Sequence, residues 1–138
     1  MSTLDQEDVT IMRGNPAFAG AEIFQYDYLN DDVTDFGEID YTLTNKVPMA
    51  LRQAIADAKS GKEGAKPILV LINPPYAEAT SSENVSSKGV DRSKKGVARS
   101  RFALAGMDGF GKASNELFTQ FIARTHCEIP TAILAIFS

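Results

Sequence analysis

The stretch that most constrains this chain is Pro67-Ile68-Leu69-Val70-Leu71-Ile72-Asn73-Pro74-Pro75-Tyr76. Residues 68–72 have the length and β-branched content of a strand buried on both faces, as in the middle of a parallel sheet. Two prolines then end it, because neither can donate to a ladder and the residue before them is pushed to extended geometry. The carboxyl end of such a strand is where open α/β sheets bind ligands. A rigid turn there offers an amide, a backbone carbonyl and an aromatic ring, a set suited to a flat molecule carrying an amino group. The bland alternative is a polyproline ligand for an adaptor domain; those ligands lie in exposed Pro-rich segments, whereas this one follows an apolar run.

Around this centre the chain reads as alternating strands and helices. Residues 1–20 show no strong periodicity, and Arg13-Gly14-Asn15-Pro16 reads as a turn. A strand is expected over residues 21–26, with Asp27 at its carboxyl end and Asn30-Asp31-Asp32 leaving as a polar loop. Residues 31–45 read mostly as loop. Residues 47–60 form a helix with Pro48 in the first turn, Leu51, Ile55 and Ala58 on one face, and Gly61 as its stop. Strand, helix, strand in this order fits a right-handed βαβ crossover.

Residues 77–112 are rich in Ser, Gly and Lys and poor in hydrophobic patterning. A connection this long is functional or disordered, with Arg101-Phe102-Ala103-Leu104-Ala105 as a short helical piece inside it. Gly106, Gly109 and Gly111 lack the spacing of a dinucleotide loop and read as hinge or turn residues. A helix is expected over residues 114–128, capped by Ser114 or Asn115, with Leu117, Phe118, Phe121 and Ile122 as its apolar stripe. His126 and Cys127 read as packing or capping residues, and residues 129–137 as another buried strand.

Asn73-Pro74-Pro75-Tyr76 after an apolar strand resembles the catalytic motif of amino-methyltransferases, above all the N6-adenine DNA methyltransferases. Asp27-Tyr28-Leu29 is similar to the family's acidic strand end. Asn115-Glu116-Leu117-Phe118 and residues 132–138 are similar to its later helix and strand. The resemblance implies an α/β, partial Rossmann-like fold of the S-adenosylmethionine-dependent methyltransferases. It covers about residues 21–138 of a single partial catalytic domain, 1–138. By this resemblance Asn73, Pro74, Pro75 and Tyr76 are catalytic, with Tyr76 stacking on a flipped adenine. Asp27, Tyr28, Leu117 and Phe118 bind S-adenosylmethionine, Asp27 by accepting from the cofactor's amino group. The partner implied is DNA; an RNA base or a protein glutamine amide is the alternative acceptor. Taken alone, an Asp at a strand end is more often a turn or cap residue than a ligand, and the order of Asp27 before Asn73-Pro74-Pro75-Tyr76 is what brings the ligand role level with it; core packing explains Leu117 and Phe118 equally well.

The chain lacks a counterpart of the family's first strand and Gly-rich cofactor loop. The expectation is therefore a fragment that depends on a missing N-terminal half or a partner subunit, or else a non-catalytic piece that contacts DNA or completes another chain.

Charge bears on the partner. The chain carries a formal net charge of −4, with ten acids against one base between residues 1 and 40. From residue 83 to 112 there are seven bases against three acids, so that window is +4 and the rest is −8. Lys88, Arg92, Lys94, Lys95, Arg99 and Arg101 are the candidate phosphate contacts; a solvated surface loop is the alternative. One cysteine and one histidine exclude an internal disulfide and make a zinc centre a poor fit. No apolar run approaches the roughly 20 residues that span a bilayer, and the acidic N-terminus lacks signal-peptide character. A cytoplasmic protein is expected.

Overall fold

The computed structural model describes residues 1–74 and 99–137. Within them the chain forms a small mixed α/β domain with four helices and four short strands. The strands are β1 (Ser2–Thr3), β2 (Phe24–Gln25), β3 (Leu69–Ile72) and β4 (Ile133–Ile136). The helices are α1 (Gln6–Arg13), α2 (Met49–Lys59), α3 (Arg101–Ala105) and α4 (Leu117–Glu128). Short 3₁₀ turns cover Pro16–Phe18 and Gly111–Asn115.

Two parallel pairs replace the single βαβ sheet expected from the sequence. β1 pairs with β2, Ser2 opposite Phe24 and Thr3 opposite Gln25. β3 pairs with β4 in the register Leu69–Ile133, Val70–Leu134, Leu71–Ala135 and Ile72–Ile136. Among the described residues β2 and β3, which flank α2 in sequence, lie in different sheets. The helical crossovers run instead from β1 through α1 to β2, and from β3 through α3 and α4 to β4.

The N-terminal helix escaped the sequence reading because it buries only Val9. It forms on terminal chemistry: the Asp5 carboxylate accepts from the Glu7 amide at 2.9 Å, while Glu7 and Asp8 sit where the helix dipole favours negative charge. Arg13 closes the unit by donating to the Ile23 carbonyl at 2.7 Å, just before β2. α2 matches its expected apolar face, with Ile55 buried; Pro48 is its N-cap rather than a first-turn residue.

β3 is not buried on both faces. Leu69 and Leu71 are 57% and 59% exposed, and on the paired strand Ile133 is 59% exposed. Alternate residues of a strand point to opposite faces, so one apolar side of this sheet is open, and β4 shares the correction. The five-residue apolar run carries no alternation that could have told one covered face from two.

α4 also differs. It begins at Leu117 behind a 3₁₀ turn, and its N-cap Glu116 makes no side-chain cap bond, so neither Ser114 nor Asn115 caps it. Its buried residues are Leu117, Gln120, Arg124, Thr125 and Glu128, a mostly polar face in place of the expected Leu117-Phe118-Phe121-Ile122 stripe. His126 and Cys127 are exposed, so neither packs in the core.

The described end of the basic segment is integral to the fold. Phe102, Ala103 and Met107 cluster with Val33 as buried core, with Ile39 and Ala123 packed against them. α3 occupies the five residues read as helical, capped by Ser100, whose hydroxyl accepts from the Ala103 amide at 3.0 Å. Gly37 makes this docking possible. Its φ is +79°, and a Cβ there would lie 2.4 Å from Gly106 Cα.

Candidate functional site

The carboxyl end of β3 leads straight into Asn73, which is exposed, and Pro74, which is buried. Pro75 and Tyr76 lie outside the described residues, as do Lys88, Arg92, Lys94 and Lys95. Asn73 and Pro74 thus leave the β3–β4 sheet, while Asp27 and Tyr28 follow β2 in the other sheet.

Asp27 builds the loop that leaves β2. Its Oδ1 accepts from the Leu29 amide at 3.3 Å and its Oδ2 from Asn30 Nδ2 at 2.8 Å. Its carbonyl accepts from the Asn30 and Asp31 amides, and its own amide donates to the Asp31 carboxylate at 2.8 Å. These are Asx-turn contacts, which an Asp at this point makes readily.

Asn30 extends the loop to α3. Its Oδ1 accepts from the Arg101 amide at 2.8 Å, and beside it the Phe102 amide donates to the Leu29 carbonyl at 3.1 Å. The first amides of a helix have no partner within it, so the residues 29–30 carbonyl groups cap α3 from outside. Arg99 donates to Ser114 Oγ at 2.7 Å. Arg101 reaches Asp35 at 3.2 Å through side chains that are both exposed.

Tyr28 packs on α4. Its ring stacks on Phe121 with centroids 5.6 Å apart and lies 4.5 Å from the Arg124 guanidinium carbon. Its hydroxyl pairs with Thr125 Oγ1 at 3.1 Å. Leu117, buried, and Phe118, half-buried, stand one turn earlier on the same helix. The structure therefore joins Asp27, Tyr28, α4 and the start of α3 in one neighbourhood.

The sequence reading missed the buried polar network below that neighbourhood. Arg124 is fully buried. Its Nη1 donates to the carbonyls of Tyr28 and of Asp31, the latter at 2.9 Å, and its Nη2 donates to the Tyr26 hydroxyl at 2.7 Å. Tyr26 donates to Asp32 Oδ2 at 3.1 Å, and Asp32 Oδ1 accepts from the amide and hydroxyl of Thr44 at 2.8 and 2.9 Å. Arg124 Nε faces Glu128 Oε2 at 3.5 Å, and neither atom makes a hydrogen bond. The other Glu128 oxygen accepts a short hydrogen bond from the Tyr41 hydroxyl. Burial raises the phenol pKa values of Tyr26, Tyr28 and Tyr41, and the Glu128 carboxylate adds to all three. The available signal was the spacing of Gln120, Arg124 and Glu128, polar residues at positions four apart that share one helix face.

A cleft of about 370 Å³ borders this network, lined by Tyr41, Met49, Arg52, Ile55 and Glu128 among others; none of the candidate catalytic, cofactor or phosphate residues named from the sequence lines it. No group of three or more metal-ligating side chains occurs among the described residues. No helix among them is long and apolar enough to cross a membrane. Compared with protein-family models, curated proteins and solved structures, the chain matches none.

Proposed function

We propose that the chain is part of an S-adenosylmethionine-dependent DNA methyltransferase of partial Rossmann-like fold, acting on the N6 amino group of adenine. The observation that carries this reading is that Asn73, exposed, and Pro74 follow directly from the carboxyl end of a strand in a parallel pair. That end of a parallel strand is the usual place for ligand chemistry in α/β folds.

The target base has to leave the duplex to reach such a turn. The Asn73 side-chain oxygen and the Pro74 carbonyl accept hydrogen bonds from its amino group. This draws the nitrogen away from conjugation with the ring and frees its lone pair. S-adenosylmethionine, when bound, would supply the methyl group that this nitrogen takes up. Most of the acceleration comes from positioning. Tyr76 stacks on the extrahelical base, worth about 1–3 kcal/mol by analogy with other base–aromatic contacts. Asp27, Tyr28, Leu117 and Phe118 serve the cofactor, and Arg99 and Arg101, with Lys88, Arg92, Lys94 and Lys95, serve phosphates.

Transfer of labelled methyl from S-adenosylmethionine to adenine-containing DNA tests the reading. Asn73→Ala is expected to lower transfer by on the order of 100-fold, in line with the loss of one positioned polar group, with little change in cofactor affinity. Unchanged transfer would remove Asn73 from the mechanism.

A second reading, that the chain completes another polypeptide's fold without catalysing, is favoured by the open side of the β3–β4 pair. Parallel sheets are ordinarily covered on both faces, and here Leu69, Leu71 and Ile133 are more than half exposed. Methyl transfer by the chain alone would exclude this reading.

A further inference from the structure

None of the residues given a part in methyl transfer lines the cleft beside Tyr41 and Glu128. We infer that this cleft is a separate binding site for a small planar organic carboxylate, its charge held by Arg52 and Lys59 and its flat body by Tyr41 and Met49. One side of α2 forms a wall of the cleft: Met49, Arg52, Ala56 and Lys59 follow the spacing of a single helix face. Tyr41 contributes from the loop before α2, Glu128 from the last turn of α4, and Ile55, 4% exposed, from the core. The volume of about 370 Å³ is that of a small-molecule site, and the lining combines apolar surface with a few convergent polar groups.

Arg52 is a positioned cation with no counter-ion. Its Nε donates to the Val47 carbonyl at 2.7 Å and its Nη1 to Asn45 Oδ1 at 3.2 Å. A guanidinium has five N–H donors, so these two bonds fix its plane and leave its outer edge, which matches the two oxygens of a carboxylate. Among the described residues, no salt bridge includes Arg52 or Lys59. The flat surfaces are fixed as well. The Arg52 guanidinium carbon lies 6.0 Å from the centroid of the Tyr41 ring, and the Tyr41 hydroxyl is tied to Glu128. Met49, 73% exposed, adds a polarisable apolar side chain that packs readily on an aromatic ring. Two carboxylates bear on the charge of the ligand. Glu128 is already faced by Arg124 at 3.5 Å. Asp40 has its carboxyl pKa lowered, first by hydrogen bonds from Thr42 and last by the Arg52 charge, yet it forms no ion pair with Arg52. Both repel a doubly charged ligand more than a singly charged one, so a carboxylate fits better than a phosphate ester.

Titration of the 138-residue chain with naphthoate, followed by nitrogen–proton NMR at the Ala56 amide and the Arg52 Nε–H, tests the site. A Kd of about 1 mM or tighter is expected, the affinity that ordinary ligand efficiency gives a molecule of this size. Naphthamide keeps the flat body without the charge, and acetate keeps the charge without the body; each should bind at least about tenfold more weakly. Naphthyl phosphate, doubly charged at about pH 8, should bind no tighter than naphthoate. Arg52→Gln should weaken naphthoate about 10- to 100-fold, the worth of a hydrogen bond to a charged group. Ala56→Trp fills the cleft from an exposed helix position and leaves the Arg52 hydrogen bonds in place. It should abolish the naphthoate shifts while the unfolding midpoint stays near that of the wild type, a pattern that loss of structure does not produce. No binding of naphthoate, equal affinity for naphthamide, or unchanged affinity in Ala56→Trp would overturn the site. Tighter binding of naphthyl phosphate would overturn the choice of a carboxylate. None of these outcomes bears on methyl transfer at Asn73, which stands or falls by its own assay.

Discussion

Replacement of Arg124 by Met is the sharpest test of how the loop after β2 is held. Met keeps most of the aliphatic stem and removes the guanidinium. Three acceptors then lose their donor: the carbonyls of Tyr28 and Asp31 and the Tyr26 hydroxyl. Glu128, 5% exposed, loses the only cation that faces it in a salt bridge among the described residues and keeps the Tyr41 hydroxyl. Each orphaned hydrogen bond costs about 1 kcal/mol net, and stripping one partner from a buried ion pair costs roughly 3–5 kcal/mol. The two figures share the same desolvation, so they overlap, and a loss of about 3–5 kcal/mol is expected. Against a typical domain stability of about 5–15 kcal/mol, that is a large fraction of the total. Urea unfolding followed by circular dichroism reads it as a lower midpoint at unchanged slope. Adding Glu128→Gln should recover about 1–2 kcal/mol, because the second change removes the stranded charge. A loss below about 1 kcal/mol for Arg124→Met, or no recovery in the double variant, would show that the buried guanidinium does not organise this loop.

Gly37→Ala should cost more than about 2 kcal/mol, since its Cβ would meet the Gly106 backbone at 2.4 Å at a φ of +79°. Gly20→Ala, at a similar φ with no atom within 4 Å, should cost about 1 kcal/mol; equal losses in thermal unfolding would refute the close approach. Tyr26, Tyr28 and Tyr41 have pKa values raised above the ordinary value near 10. Their protonated forms are favoured by folding, so that contribution is complete below about pH 10 and is lost as pH rises beyond it. Phenolate absorbance from Tyr26, Tyr28 and Tyr41 should therefore appear together with unfolding, and titration of these three in the folded chain would contradict the buried network. Leu71→Ser, at a side chain 59% exposed, should change stability by no more than about 0.5 kcal/mol. Ile55→Ala, in the core at 4% exposure, should cost about 2–5 kcal/mol, and a comparable cost at Leu71 would mean that face is covered.

What the sequence showed and what it hid follow from the kind of force involved. α2 was legible because its ends carry local signals, Pro48 and Gly61, and local chemistry is written locally; the five residues of α3 were picked out as well, but the Ser100 cap that starts it was not. β3 was placed within one residue by its apolar run, yet its burial was misread. A run without alternation fits a strand covered on one face as well as on two. α1 stayed hidden because a helix that buries one residue has almost no period to detect. Val33 and Met107 joined the core from segments read as loop. Their burial depends on a partner about seventy residues away, and no window of sequence contains both. The Arg124 network was hidden for a related reason: polar residues on a helix suggest a solvent face until a second loop closes over them.

At Asp27 a turn role is compatible with the proposed ligand role. From the sequence these stood as rivals, and the structure fills the turn role completely. A carboxylate, however, has about four lone-pair positions. The Leu29 amide and Asn30 Nδ2 occupy one on each oxygen. Two acceptor sites are then left on a group whose orientation the loop has already fixed. An Asp with no turn contacts would have to lose rotamer freedom when a ligand arrives, whereas this one has lost it on folding. The Asx contacts are therefore what makes a ligand role at Asp27 inexpensive in entropy, and the same contacts run through Asn30 to α3. Removing them should weaken a ligand at Asp27 without touching the atoms that would bind it.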